Sequence, residues 1–475
     1  MTMNNNEEFD AVVLGSGEGG KFMAWHLAQH GARVAVIEER YVGGSCPNIA
    51  CLPSKNILHS AAVAHTVAGA VAFGSQVSQY TVSMQAIQAR KREMVDGLIA
   101  MHQTRFAKTG AELILGRGRF VGPRVIEVTS AEKPMRRVTA KHIFLDLGAF
   151  AAMPELPGLV DAAPMTHVEL LDLKTTPNHL VILGGGYIAL ELAQAMRRLG
   201  SDVTIVERTE RLLTREDPDI ASILTQVLVD EGIEIITGAE IASVSGRSGA
   251  RVTLHGKKNG HDLAVTGSDL LVALGKSPNT KGVGLDIAGV ALTGTGYVEV
   301  NDRLETTAPG IWALGDCAGT PAFTHMSFDD FRIVRDNLAG ESRVTTGRQV
   351  PFCLFTEPEL ARVGLNEVEA ARNGIAYRLA EIPAAAILRT RSTGETTGKL
   401  KLLVGEDDRI LGFTALCARA GEFLPVVQLA MANGLPYQAV EKLVIAHPTY
   451  SEGLNGLFAS AMAQARQQPP GTSGT

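Results

Sequence analysis

Two cysteines five positions apart, Cys46 and Cys51, are the residues best suited to reversible electron chemistry in this chain. They stand in Gly43-Gly44-Ser45-Cys46-Pro47-Asn48-Ile49-Ala50-Cys51-Leu52-Pro53-Ser54-Lys55. In a regular helix, positions five apart rise about 7.5 Å and point to different faces. That exceeds the ~4.4–6.8 Å between Cα atoms that a disulfide tolerates, so a bridge here needs a distorted helix. Pro53 supplies a cause, because it cannot donate to the carbonyl of Ile49 and its ring crowds that oxygen. A strained pair near a helix N-terminus is readily reduced and stabilises a thiolate. Two unbonded core cysteines and half of a zinc site are the other readings. No second cysteine or histidine pair lies at zinc-ligand spacing, and no metal is assigned. Far along the chain, Ala446-His447-Pro448-Thr449-Tyr450-Ser451-Glu452 offers a histidine able to exchange protons near neutral pH and a carboxylate able to fix its tautomer.

Two further motifs suit dinucleotides. Gly15-Ser16-Gly17-Glu18-Gly19-Gly20 follows the apolar run AVVL and opens the helical pattern KFMAWHLAQHG. Gly15, Gly17 and Gly20 permit a tight turn that brings backbone N–H groups and a helix N-terminus to a pyrophosphate. Glu38 ends the next apolar run, placed to accept from a ribose. The pattern recurs as Gly184-Gly185-Gly186-Tyr187-Ile188-Ala189, with Glu207 ending the following run. The same interval separates Gly15 from Glu38 and Gly184 from Glu207, so the two units match in register as well as in type. A carboxylate at position 207 favours NADH over NADPH, a preference that Arg208 and Arg211 would soften.

These residues need elements to hold them. Both fingerprints predict strand–turn–helix–strand units, and therefore an α/β chain with two Rossmann-like dinucleotide-binding domains. Between them, Met84 to Lys108 predicts a long helix, and AELILGRGRF and RVIEVTS predict hairpin strands belonging to the first domain. From about Pro351, the strand patterns CLFTE, KLKLLV and ILGFTAL are followed by helical stretches around Phe423–Asn433 and Tyr450–Arg466. They predict an α+β module.

Composition narrows the setting. The chain has 475 residues, long enough for about three domains. A formal charge of −6, with scattered basic residues, offers no stripe for nucleic acid and no patch for a membrane surface. No apolar run is long enough to span a bilayer on this reading, and MTMNNNEEFD lacks the features of a secretory signal; the expectation is cytoplasmic. Five cysteines, an odd number, do not form a secreted disulfide framework.

Taken in order, the C-x4-C-x-P-S-K box, the paired fingerprints, Gly315-Asp316 and the His-Pro-Thr box resemble the pyridine nucleotide–disulfide oxidoreductase family over nearly the whole chain. That is the group of glutathione reductase, dihydrolipoamide dehydrogenase and mercuric reductase. The resemblance implies FAD in the first unit and NAD(P)H in the second. Cys51 would be the flavin-proximal thiol and Cys46 the interchange thiol that attacks substrate. Lys55 and Glu191 would form an ion pair beside the flavin, although Glu191 alone also reads as a surface helix residue. Tyr187 would be an aromatic gate over the nicotinamide pocket. Gly44, Ser45, Gly148, Gly275, Gly315 and Asp316 would complete the cofactor contacts. It implies a C-terminal dimerisation domain, so that His447 and Glu452 serve the cysteines of the other subunit in a homodimer with a shared active site. The implied division is 1–150 for the FAD domain, 151–277 for the NAD(P) domain, 278–348 for a return to the FAD domain, 349–467 for dimerisation and 468–475 for a disordered tail. Cys317, Cys353 and Cys417 read as apolar fillers.

Some positions depart from the family pattern. Asp146-Leu147-Gly148 replaces the usual Ala-Thr-Gly, and Lys276 replaces an arginine. Pro47 and Ala50 resemble the mercuric-reductase branch, yet the C-terminal cysteine pair and N-terminal metal-capturing domain of that branch are missing. The leading expectation is a dihydrolipoamide dehydrogenase-like enzyme acting on a small disulfide or dithiol. Mercuric-ion reduction, and a flavoprotein NADH oxidase or quinone reductase, are the alternatives.

Overall fold

A computed structural model describes residues 6–131 and 133–461. The chain begins with β1 (Glu7–Leu14), α1 (Glu18–Gln29) and β2 (Val34–Glu38). Every residue of β2 is buried, as expected of a parallel strand covered on both faces. The cysteine segment follows as α2 (Ser45–Asn48) and α3 (Cys51–Gly69), then α4 (Met84–Thr109). Ser83 caps α4, its hydroxyl accepting from Ala86 N, and Gly110 closes it in the left-handed conformation.

The strands β3 (Glu112–Leu115), β4 (Arg117–Gly122), β5 (Val125–Thr129) and β6 (Arg136–Leu145) complete a sheet of order β3-β2-β1-β6-β5-β4. The expected hairpin is only half present. β4 and β5 pair antiparallel, whereas β3 lies parallel to β2 and extends the Rossmann sheet. Alternation in AELIL reports a strand but carries no information on its partner.

After β7 (Ala149–Ala151) and the short α5 (His167–Leu171) comes the second unit: β8 (His179–Leu183), α6 (Tyr187–Arg198), β9 (Asp202–Val206), α7 (Pro218–Asp230) and β10 (Glu234–Ile236). A three-stranded antiparallel sheet, β11 (Ala239–Arg247), β12 (Arg251–Lys258) and β13 (His261–Gly267), precedes β14 (Asp269–Val272). β14 joins a parallel sheet of order β10-β9-β8-β14. The chain then recrosses: β15 (Lys276–Pro278) pairs antiparallel with β7, and β16 (Ile311–Ala313) lies parallel to β6 in the first sheet. The helix α8 (Thr324–Leu338) follows.

The C-terminal region holds an antiparallel sheet of order β17-β18-β21-β20-β19, formed by Phe352–Leu354, Glu359–Gly364, Ile410–Cys417, Lys399–Val404 and Arg378–Pro383 respectively. Of these, β18 and β19 escaped the sequence reading. Helices Leu424–Ala432 and Gly453–Ser460 cover this sheet through Leu424, Val427, Leu457 and Phe458. The expected tail, 468–475, and the end of the helical stretch toward Arg466 lie outside the described residues. A buried ion cluster joins this region to the second unit: Lys401 Nζ, its side chain 1 % exposed, meets Asp217 Oδ2 at 2.8 Å, Asp219 Oδ1 at 3.0 Å and the carboxylate of Glu367.

One expectation is corrected here. The Ser45–Phe73 stretch is long and apolar enough to meet the composition of a membrane span. It is, however, broken between α2 and α3, carries Lys55, and buries Ile57 and Ala61 in the core.

Candidate active site

The cysteines lie on two helices, not one. Cys46 is in α2 and Cys51 opens α3, with Ile49 (φ −138°, ψ 0°) and Ala50 (φ −130°, ψ −103°) breaking the helical path between them. Pro53 stands in the first turn of α3, where its missing N–H costs no intrahelical bond. Ahead of the pair, Gly43 and Gly44 both have positive φ, and a Cβ on Gly44 would meet Gly17 Cα at 2.5 Å. The redox segment is thereby held directly against the first glycine turn.

Both cysteines are thiols here. The hydrogen bond between them raises the acidity of one at the expense of the other. Cys46 donates, so its thiol is pushed well above the ordinary range, with burial adding to the effect. Cys51 accepts and is lowered to about 6, against burial, with help from Thr324 and from the charges of Lys55 and Lys276. Cys51 Sγ lies 3.3 Å from Thr324 Oγ1 at the start of α8. The sequence reading missed Thr324. It is far from the cysteines in sequence and belongs to no motif.

Lys55 Nζ meets Glu191 Oε2 at 2.7 Å. The Glu191 side chain is only 8 % exposed, and its other oxygen accepts from Phe355 N at 2.9 Å, so the surface-helix reading of Glu191 is wrong. A buried carboxylate needs such partners. The Lys55 ammonium also lies over the Phe355 ring, 4.6 Å from its centroid.

Both glycine turns fit dinucleotides. Gly15 (φ +96°) and Gly184 (φ +117°) occupy the left-handed region, and a Cβ there would meet Asp146 O at 2.1 Å and Ala273 O at 2.5 Å. A Cβ on Gly186 would meet nothing within 4 Å, leaving the N-terminus of α6 open. Glu38 ends β2 as expected, Glu207 stands one residue past the end of β9, and each also braces its own turn. Glu38 accepts from Ser16 N at 2.9 Å and Ser16 Oγ at 2.7 Å, and Glu207 from Gly185 N at 2.6 Å and Thr209 N at 2.9 Å. Arg211 donates to the carbonyls of Leu213 and Thr214, which occupies it within its own loop, while Arg208 is exposed. Ala189 is buried in α6.

The departures have structural explanations. Lys276 Nζ pairs with Asp316 Oδ2 at 3.0 Å across a cavity of about 390 Å³ that Arg215, Tyr297 and Thr320 also line. Asp146 is fully buried behind the first turn, accepts from Gly20 N at 2.7 Å, and burial raises its carboxyl to about 7. Gly148, Gly275 and Gly315 all have positive φ, and the first two open onto free space. Ser45 starts α2.

His447 Nδ1 contacts Glu452 Oε1 at 2.9 Å and Oε2 at 3.0 Å. The histidine is 59 % exposed, and among the described residues its ring bonds to neither cysteine. Cys317 and Cys417 are fully buried and Cys353 half-buried, and burial pushes all three thiols up.

Comparison with known proteins agrees with this architecture. Residues 9–330 match the family model described as pyridine nucleotide-disulphide oxidoreductase, and residues 350–457 match its dimerisation domain. A probable pyridine nucleotide-disulfide oxidoreductase, RclA, of Escherichia coli strain K12 is 36 % identical over 458 residues, spanning 95 % of this chain and 99 % of its own. A dihydrolipoyl dehydrogenase of Thermus scotoductus is 32 % identical, spanning 94 % and 96 %, and a mercuric reductase of Bacillus cereus 31 %, spanning 94 % and 71 %. The solved Cu(II) complex of the HOCl-induced flavoprotein disulfide reductase RclA superposes with a TM-score of 0.87 at 35 % identity, over 95 % of this chain and 99 % of that one. The chain therefore belongs to the pyridine nucleotide-disulphide oxidoreductase family, whose members are oxidoreductases that use FAD and NAD(P)H.

Proposed function

We propose that this enzyme draws electrons from NADH and delivers them, through Cys46 and Cys51, to a small disulfide, in the manner of a dihydrolipoamide dehydrogenase. FAD and the nicotinamide coenzyme supply the hydride chemistry when bound, and the residues of the chain do the rest. The observation that carries the reading is the cysteine pair held across the helix break, with Thr324 Oγ1 3.3 Å from the Cys51 sulfur. The hydrogen bond from Cys46, Thr324 and the charges of Lys55 and Lys276 pull the Cys51 thiol down, and the same bond pushes Cys46 up. Cys46 is the thiol that attacks the acceptor, once its proton has been taken. Lys55, fixed by Glu191, places a positive charge near the Cys51 sulfur. His447, oriented by Glu452, exchanges the substrate proton at the cysteine pair of a second copy of the chain, which makes the homodimer the active unit. Glu207, with Arg211 occupied in its loop, favours NADH.

A second reading, reduction of a thiophilic metal ion, is favoured by the Pro47 and Ala50 box, by the mercuric reductases among the relatives and by the Cu(II) complex of the similar structure. Anaerobic reduction of the purified flavoprotein with NADH, followed by lipoamide, separates the two readings. Fast reoxidation by lipoamide in the wild type, absent in Cys51→Ser, supports the disulfide reading. If lipoamide leaves the reduced enzyme unchanged while Hg(II) or Cu(II) reoxidises it, the metal reading replaces it.

A further inference from the structure

Three domains meet at Tyr187. It is the first residue of α6, directly after the open Gly186. Its ring stacks on Phe352 of β17 at 5.2 Å between centroids and 23° between planes, and Phe352 in turn stacks on Phe323, which precedes α8, at 5.9 Å and 3°. Its hydroxyl donates to Glu216 Oε1 at 2.5 Å. The Glu216 side chain is 0 % exposed, and its second oxygen lies 3.2 Å from Arg362 Nε of β18. Arg362 is shared with Glu369, at 2.6 Å, and covers the Phe352 ring from 5.2 Å.

Such an arrangement is costly unless it does something. A carboxylate with no exposed surface must be paired. Here it receives one charged partner from the C-terminal sheet and one neutral phenol from the second nucleotide unit. The backbone is bent to deliver it. Glu216 N bonds to Leu213 O at 2.9 Å, Leu213 N bonds to Gly185 O at 3.2 Å, and Leu213 takes φ +49°, a conformation that bulky side chains rarely adopt. The loop after Glu207 thus folds back over the glycine turn and ends in the acid that holds Tyr187. Burial raises the carboxyl of Glu216, opposed by Arg362, and raises the Tyr187 hydroxyl too, so the phenol stays the proton donor.

We infer that Glu216, anchored by Arg362, is a positioning residue that tethers the Tyr187 ring shut across the open end of the second glycine turn, so that a nicotinamide dinucleotide must break this bond to bind. The inference rests on the assignment of that unit to NAD(H) and on Tyr187 as its gate, and is independent of the acceptor's identity. A site whose competent form is only partly populated binds its ligand more weakly by that fraction. Loosening the tether therefore tightens binding.

The test is calorimetric titration of the oxidised flavoprotein with NAD+, which requires no turnover. Tyr187→Phe keeps the ring and its stacking but removes the donor, and should bind NAD+ about tenfold tighter, the equivalent of ~1.4 kcal/mol. Glu216→Gln keeps a neutral acceptor and should give a smaller gain of about threefold. The double variant should match Tyr187→Phe alone, because both changes remove one interaction. In steady state the gain should appear as a lower KM for NADH with little change in kcat. Should Glu216→Gln fold poorly with Arg362 left less satisfied, Tyr187→Phe alone still decides. Unchanged or weaker NAD+ binding by Tyr187→Phe overturns the tether. Failure of the wild type to bind NAD+ overturns it too, by removing the nicotinamide assignment beneath it, and leaves the cysteine chemistry untouched.

Discussion

The two glycine turns share a backbone and differ in what stands behind them. In each, the first glycine packs on the carbonyl of a residue leaving the neighbouring strand: Asp146 behind Gly15, Ala273 behind Gly184. Asp146 N bonds to Leu14 O and Ala273 N to Leu183 O, so the two residues are structural equivalents. One is a buried acid and the other a methyl group. The acid is one part of what keeps a side chain out of the sixth position of the first turn, where the second turn holds alanine. A Cβ on Gly20 would meet Asp146 Oδ2 at 2.6 Å and both Asp146 Cβ and Gly15 O at 2.9 Å, whereas the buried start of α6 accommodates Ala189. The first turn is filled from behind, and its acid, Glu38, is buried. The second is open at Gly186, with Glu207 half-exposed. A filled, braced turn suits a cofactor that stays, and an open one suits a coenzyme that comes and goes.

Exchanging the fillings tests this contrast most severely. Gly20→Ala should destabilise the flavoprotein by ~3 kcal/mol through overpacking against Asp146 and strip it of flavin. Adding Asp146→Ala removes the carboxylate but keeps a Cβ at position 146 which, like Gly15 O, lies 2.9 Å from the new methyl, so it should restore part of each, measured by the ratio of flavin to protein absorbance and by Tm. If the double variant is no better than the single, the acid is not what demands glycine. Filling the open turn comes next. A Cβ at Gly186 has no neighbour within 4 Å outside the adjoining residues, so Gly186→Val should leave Tm and flavin content intact while weakening NAD+ binding about a hundredfold, ~2.7 kcal/mol. A loss of flavin in that variant would blur the distinction between the turns.

A smaller effect follows from titration of the buried acid. The Asp146 carboxyl is raised from 3.8 to about 7, so the folded state holds a proton that the unfolded chain has released. Its contribution is fully present below pH 3.8 and is lost as pH rises through about 7. The loss should be on the order of 1–2 kcal/mol after relaxation around the site. Between pH 5 and pH 8 the Tm of the wild type should fall more than that of Asp146→Asn, and parallel profiles would remove Asp146 from the account. The smallest effect belongs to Glu207→Gln, which should reduce the preference for NADH over NADPH by less than about tenfold. Steady-state kinetics with both coenzymes would show whether Arg211, held in its loop, can still contribute.

Much of the site was legible because it is written in short, contiguous strings. The glycine turns, the cysteine box and the His447–Glu452 pair are each set by residues within a few positions of one another, where backbone geometry links spacing to chemistry. Even the helix break between Cys46 and Cys51 could be anticipated from Pro53. Contacts made by distant parts of the chain left no such trace. Thr324 beside Cys51 and Arg362 on Glu216 are ordinary residues until the fold brings them together, and Lys276 and Asp316, each notable in the sequence, give no sign there of pairing with one another. Glu191 was ambiguous for a related reason, since a helix of small apolar residues does not reveal which face meets the loop at Phe355. The pairing of β3 escaped because alternation reports a strand and not its neighbour.

The break at Ile49 and Ala50 has a mechanical consequence. Closing a dithiol to a bond of ~2.05 Å must shorten the distance between two sulfurs, and on one continuous helix that contraction would unwind a turn. Here it falls on a two-residue joint lying outside both helices, with α3 running undisturbed from Cys51 to Gly69. On the proposed relay through Cys46 and Cys51, each change of oxidation state would be taken up at this joint, with the beam on either side unbent.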